Sequence, residues 1–202
     1  IEHQQMDEFK KLSRKALNFV FIIASLMMVY FILFAKQGIF FLSGDAFAPA
    51  VVPMQLIMPT LLLIGITNIL GIQILVPLGY EKAVLVSEIV GAVIDLVVNA
   101  LLIPVYQSSG AAIGTLLAEF AVMVVQCIAL KNEIKTAFSD IKYLKIILAI
   151  ILASLASFWV TALNLHVFIT LVISAILFFG VYGLVLIIMK EKLVVEILTQ
   201  IF

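Results

Sequence analysis

Charge is scarce in this sequence. Asp, Glu, Lys and Arg make up 12% of 202 residues, 12 acids against 12 bases, about half the usual charged fraction of a globular chain. No water-facing surface of normal extent can be built from so few charges, which excludes a soluble domain. A single cysteine, Cys127, excludes a disulfide framework. A net charge of zero leaves no basic face, so nucleic acid is not an expected partner. His3 and His166 have no second histidine at ligand spacing, Cys127 sits in an apolar run without a base, and no glycine loop cradles phosphate. No enzyme, no cofactor and no metal site is therefore expected. Apolar residues dominate instead, at 65% of the chain, with a mean hydropathy of +1.29. The chain reads as an all-α integral membrane protein whose first partner is the lipid bilayer. It starts at Ile1, which suggests the tail of a longer polypeptide, and its first apolar run is too long for a signal-peptide core.

A helix crosses roughly 30 Å of hydrocarbon with about 20 apolar residues. Six stretches qualify, near 16–36, 50–78, 83–104, 111–130, 144–163 and 167–189, and their continuous apolar runs exclude barrel strands. The second holds Pro53, Pro59 and Pro77 and is expected to be kinked or broken. The joints carry turn residues, as in Ser43-Gly44-Asp45, Gly79-Tyr80-Glu81-Lys82, Gln107-Ser108-Ser109-Gly110 and Leu163-Asn164-Leu165-His166. With six spans, eleven of the 12 basic residues fall on one side: Lys10, Lys11, Arg14, Lys15, Lys82, Lys131, Lys135, Lys142, Lys145, Lys190 and Lys192. Lys36 alone falls on the other. The positive-inside rule then puts both ends in the cytoplasm. Residues 1–15 (Met6, Phe9, Leu12) and 191–202 (Leu193, Val194, Ile197, Ile201) have helical apolar spacing among charges, and are expected to lie at the cytoplasmic interface.

Polar residues inside spans are costly and call for an account. At about 100° per residue, Glu88, Asp95 and Asn99 share a narrow arc of the third span, and Thr115, Glu119 and Gln126 share one on the fourth. Two readings stand: interhelical hydrogen bonding, or a cavity wall able to take a proton or cation. Small residues Gly110, Gly114 and Ala121, with Ala118 beside them, lie opposite Glu119 and suit close packing of neighbouring spans. In the second span Pro59, Asn68, Gln73 and Pro77, with Pro53 and Gln55 nearby, mark a hinge or cavity. No Lys, Arg or His lies deep in any span, so phosphates of a cargo need cationic partners from elsewhere or from Lys36.

The stretch from Phe40 to Glu119 carries a family resemblance. Gly44-Asp45-Ala46-Phe47 looks like a Gly-x-x-Phe loop between spans; Asn68-Ile69-Leu70-Gly71, then Ile74-Leu75-Val76-Pro77-Leu78-Gly79, form a Pro-terminated helix and turn. Asn99 through Pro104, Gly110-Ala111-Ala112-Ile113 and Thr115 through Glu119 follow in order, and Glu8-Phe9-Lys10-Lys11 precedes them. In order and spacing these resemble the Wzx-type polysaccharide flippases of the MATE-like MOP superfamily over about residues 7–131; the last two spans match in hydropathy only. Asp95 departs from the pattern, which has Asn there.

The resemblance implies the C-terminal lobe of a MATE/MOP-type transporter, partnered by an N-terminal lobe of the same polypeptide. It implies a cargo of undecaprenyl-diphosphate-linked polysaccharide repeat units. These would be moved from the cytoplasmic to the periplasmic leaflet of a bacterial or archaeal cytoplasmic membrane by alternating access coupled to a proton or sodium ion. Polysaccharide polymerase machinery is a further expected partner. The alternatives are a MATE-type exporter of cationic compounds, which the intramembrane acids suit, a lipid II flippase, and a non-transporting truncated fragment.

Overall fold

Long runs of Leu, Ile, Val and Ala without charge leave the backbone one way to satisfy its N–H and C=O groups in hydrocarbon, the α-helix. A computed structural model describes residues 2–131, 138, 141–163 and 165–201, and it is all-helical among them. In order the elements are α1 (Glu2–Leu33), α2 (Ala35–Ser43), a 3₁₀ segment (Asp45–Ala50), α3 (Val51–Ile57), α4 (Thr60–Asn68) and a π-helical segment (Ile69–Leu75). They continue as α5 (Glu81–Tyr106), α6 (Ser108–Leu130), α7 (Tyr143–Phe158) with a 3₁₀ extension (Trp159–Leu163), α8 (Val167–Ile188) and α9 (Lys192–Ile201). Among the described residues, six helices are long and apolar enough to cross a membrane: Gln5–Leu33, Asp45–Leu75, Glu81–Tyr106, Ser108–Leu130, Tyr143–Leu163 and Val167–Ile188. The protein is an all-α, multi-pass membrane protein.

Three details differ from the sequence-based expectation. The stretch 1–15 is not a separate interfacial helix, because α1 runs unbroken from Glu2 to Leu33. No glycine or proline interrupts it, so nothing stops the helix at the change from charged to apolar residues. Lys36 lies not at the end of the first span but in α2, after a turn at Phe34, with its ammonium 5.4 Å from the Phe40 ring centre. Pro53 sits inside α3 without ending it; the interruption comes at Met58–Pro59, where Thr60 Oγ1 donates to the Ile57 carbonyl at 2.6 Å. Lys135 and Asn164 lie outside the described residues, as do the side chains of His3 and Ile201.

Polar side chains survive within these helices largely by bonding their own backbone. Ser13 donates to the Phe9 carbonyl, Ser25 to Phe21, Ser154 to Ile150 and Ser157 to Ala153, each one turn back.

The chain divides into two compact units. The first comprises residues 1–25 and 56–141; in it α5 and α6 form an antiparallel hairpin against which α4 and the π segment pack. The second comprises residues 26–55 and 142–202, and holds the α7–α8 hairpin with α2 packed on α8. At one end of this second hairpin Lys145 Nζ donates to the Met189 carbonyl at 2.7 Å and the Lys190 carbonyl at 3.1 Å, and lies 3.6 Å from the buried Glu191 carboxylate. A cation there answers the unsatisfied carbonyls and the negative end of α8.

Candidate functional site

The first unit has the less usual chemistry, beginning with the α5–α6 seam. The two helices meet along rows of residues four apart: Ser87, Gly91, Asp95 and Asn99 on α5, and Gly110, Gly114, Ala118, Val122 and Gln126 on α6. Glycine makes the approach possible. A Cβ on Gly110 would lie 2.5 Å from the Leu102 carbonyl oxygen, and one on Gly91 would lie 2.5 Å from Val122 Cγ2. On Gly114 it would overlap Asn99 Oδ1 and come within 3.4 Å of Asp95 Oδ1. Asp95 and Asn99 thus converge on the same bare stretch of α6 backbone.

At the other end of the seam Gln126, 1% exposed, donates from Nε2 to Ser87 Oγ at 3.3 Å, and Ser87 donates to the Val84 carbonyl at 2.6 Å. The same Nε2 lies 2.9 Å from where a Cβ on Gly71 would be, so the π segment also depends on a glycine to admit this amide. Along the seam, Asp95 Oδ1, Asn99 Oδ1 and Gln126 Oε1 are buried without a hydrogen-bond donor among the described residues.

The second feature lies along α4 and the π segment. A groove of about 320 Å³ runs between them and α1, with Asn68 and Gln73 in its wall. The wide turn is visible in its backbone bonds: Val76 N–H donates to the Gly71 carbonyl at 3.0 Å, five residues back, and Tyr80 N–H to Leu75 at 2.9 Å.

The residues singled out from sequence divide accordingly. Asp95 and Asn99 are brought together, half-buried, against Gly114; Asn68 and Gln73 are brought together in the groove. Thr115 and Glu119 are half-buried beside the seam, and Glu88 is exposed, close enough to Glu119 for their carboxylates to repel. Pro59 marks the break and Pro77 lies in the exposed turn after the π segment.

Two expectations about the stripes need correction. Gln126 does not accompany Glu119: it is in the seam with the small residues, whereas Ala121 is only half-buried and lies off the row. Asp95 and Asn99 of the α5 arc face the small-residue row of α6 at Gly114, whereas Glu88 is exposed near Glu119. The reason is geometric. A row of residues four apart drifts by about 40° around the helix at each step, so one angular sector cannot mark the contact from end to end. Ser87 and Gly91 belong to the seam without standing out in the polar arc, and the i+4 spacing Ser87–Gly91–Asp95–Asn99 is the sequence signal that marks them.

No family model matches the chain, and neither a curated protein nor a solved structure matches it.

Proposed function

We propose that this chain is the C-terminal six-helix lobe of an ion-coupled flippase for undecaprenyl-diphosphate-linked polysaccharide repeat units. The observation that carries the reading is the interrupted second span, Asp45–Leu75, which changes from 3₁₀ to α, breaks at Pro59, resumes as α and ends in a π turn. Discontinuous spans are frequent in transporters, where irregular backbone lines a cavity. The interruption falls within the stretch that carries the sequence resemblance, and that resemblance supplies the cargo. The Lys and Arg distribution supports cytoplasmic ends, and the resemblance supplies the bacterial or archaeal cytoplasmic membrane. An N-terminal lobe of the same polypeptide would complete the cavity and provide the cationic contacts to the diphosphate, with polymerase machinery receiving the cargo. Asp95, paired with Asn99, is assigned the coupling proton or sodium ion, with Glu88 and Glu119 as further acids near the path.

A second reading, an exporter of cationic compounds, is favoured by those three acids in spans without a deep Lys, Arg or His. Deleting the full-length gene in its host and quantifying lipid-linked repeat units separates the two. Accumulated lipid-linked repeats with loss of surface polymer, both restored by complementation, support the flippase. Normal pools with increased sensitivity to cationic compounds support the exporter, and no change in either leaves a non-transporting fragment.

A further inference from the structure

We infer that the groove between α1 and the α4–π stretch is a saccharide-binding subsite, in which Asn68 and Gln73 hold sugar hydroxyls and Phe19 offers an aromatic face to the ring. The inference rests on the flippase reading and assigns part of its cargo to particular residues.

The π segment makes the site. In an α-helix, residues five apart point about 140° away from each other. A π turn, closing its hydrogen bonds at i→i+5, brings them to within about 50° of each other, close to the roughly 40° between residues four apart in an α-helix. Asn68 and Gln73 are five apart, and both line the same groove as Gly65, opposite Ala16, Phe19 and Val20 of α1. In regular α geometry position 72 would take that place; instead Ile72 is 60% exposed. Gly65 sets how closely the walls approach, since a Cβ there would lie 2.7 Å from Val20 Cγ1.

The chemistry narrows the ligand. Among the described residues no ionisable side chain lines the groove, so neither a diphosphate nor a cationic compound meets a counter-charge from them. Each primary amide offers both donors and an acceptor, which matches vicinal hydroxyls. Phe19, 48% exposed, supplies the apolar surface that the C–H face of a sugar ring requires. A mostly apolar wall with a few convergent polar groups is the usual make-up of a small-ligand site. At about 320 Å³ the groove is at the small end of such sites, roughly 300–1,000 Å³, and suits a short part of a glycan. Two exposed amides within a span are also costly against lipid tails, which argues for a polar occupant on this face.

The test uses the full-length protein in lipid nanodiscs. The probes are undecaprenyl diphosphate alone and the same lipid bearing glucose, galactose, N-acetylglucosamine or N-acetylgalactosamine. The expected result is tighter binding of at least one sugar-bearing probe than of the bare lipid. Asn68→Leu with Gln73→Leu should abolish that gain, a loss of about tenfold for two hydrogen bonds, while binding of the bare lipid is unchanged. Exchanging the pair at the turn, Ile72→Gln with Gln73→Ile, keeps composition and span hydropathy and should lose the gain as well. Competition by free monosaccharide in the wild type, absent in the variants, would show that the sugar is read without its lipid. No sugar-dependent gain with any probe, a gain that survives both variants, or equal loss of every probe including the bare lipid would overturn the proposal. A variant-sensitive gain alongside normal lipid-linked pools in the deletion strain would leave the subsite standing and remove only the flippase reading.

Discussion

The α5–α6 and α7–α8 hairpins are built on the same plan and filled with different chemistry. Both meet along rows of residues four apart: Ser87, Gly91, Asp95 and Asn99 against Gly110, Gly114, Ala118, Val122 and Gln126 in one, and Ala149, Ala153 and Ser157 with Thr170, Ser174, Phe178, Tyr182 and Leu186 buried in the other. Within the helices of the second hairpin Ser157, Thr170 and Ser174 bond backbone carbonyls, and gaps are filled with rings. Tyr30 donates to the Leu171 carbonyl at 3.0 Å, lies 3.3 Å from Ser174 Oγ, and packs 5.5 Å from Phe178 and 5.0 Å from Phe179. In the first, glycines bring backbones together and leave a carboxylate and two amides with unmatched oxygens. The contrast separates a hairpin packed for stability from one that retains polar capacity inside a membrane, where unmatched groups are kept at a cost.

The largest expected effect tests the glycine half of this contrast. Gly110→Ala puts a methyl group into Leu102 backbone that cannot move aside, with contacts at 2.5 and 2.6 Å. Destabilisation of about 3 kcal/mol, at the upper end of overpacking, should appear as loss of monodisperse protein in detergent and a large fall in Tm. Gly180→Ala and Gly183→Ala in α8 meet nothing within 4 Å and should leave Tm nearly unchanged. Equal sensitivity in both hairpins would end the distinction.

A smaller effect, of opposite sign in the two units, tests the polar half. Asp95→Asn introduces an N–H donor beside Asn99 Oδ1 and removes a buried carboxylate oxygen without a donor. It should raise stability by about 1 kcal/mol. Tyr30→Phe, which loses the bonds to Leu171 and Ser174, should lower it by about as much. Thermal unfolding of both variants in one detergent measures the two together. A fall in both would mean that the Asp95 carboxylate is already satisfied.

The smallest expected effect concerns the joint. Gln107 links α5 to α6 with φ +50° and ψ −125°, a conformation that suits glycine. Gln107→Gly should therefore be neutral or stabilising by up to about 1 kcal/mol, even though glycine loosens the unfolded chain. Destabilisation would show that the Gln107 side chain holds the hairpin closed.

Much of this architecture is legible in the chain itself. Apolar runs separated by Gly, Asn and Ser mark the spans, and Pro59 marks the place where the second one breaks. The site is legible only in pieces. Asn68 and Gln73 can be singled out as polar residues in a span, but α spacing puts them on different faces, and nothing in the stretch ILGIQIL announces a π turn. Asp95 and Asn99 can be recognised as a pair. That their neighbour is the bare backbone at Gly114, and not Glu119, cannot be read from either helix alone.

The division has a physical cause. Hydropathy acts on each segment separately, because the bilayer is a solvent in which residues contribute nearly independently to insertion; composition and order alone therefore determine an all-helical, six-span membrane protein with an interrupted second span. Which faces meet is a different matter. Leu and Val are as comfortable against lipid as against each other, so helix pairing is decided by close packing at glycines and by the matching of a few polar groups. The seam at Gly114, the amide at Gln126 and the alignment of Asn68 with Gln73 across the π turn exist only once those contacts are made.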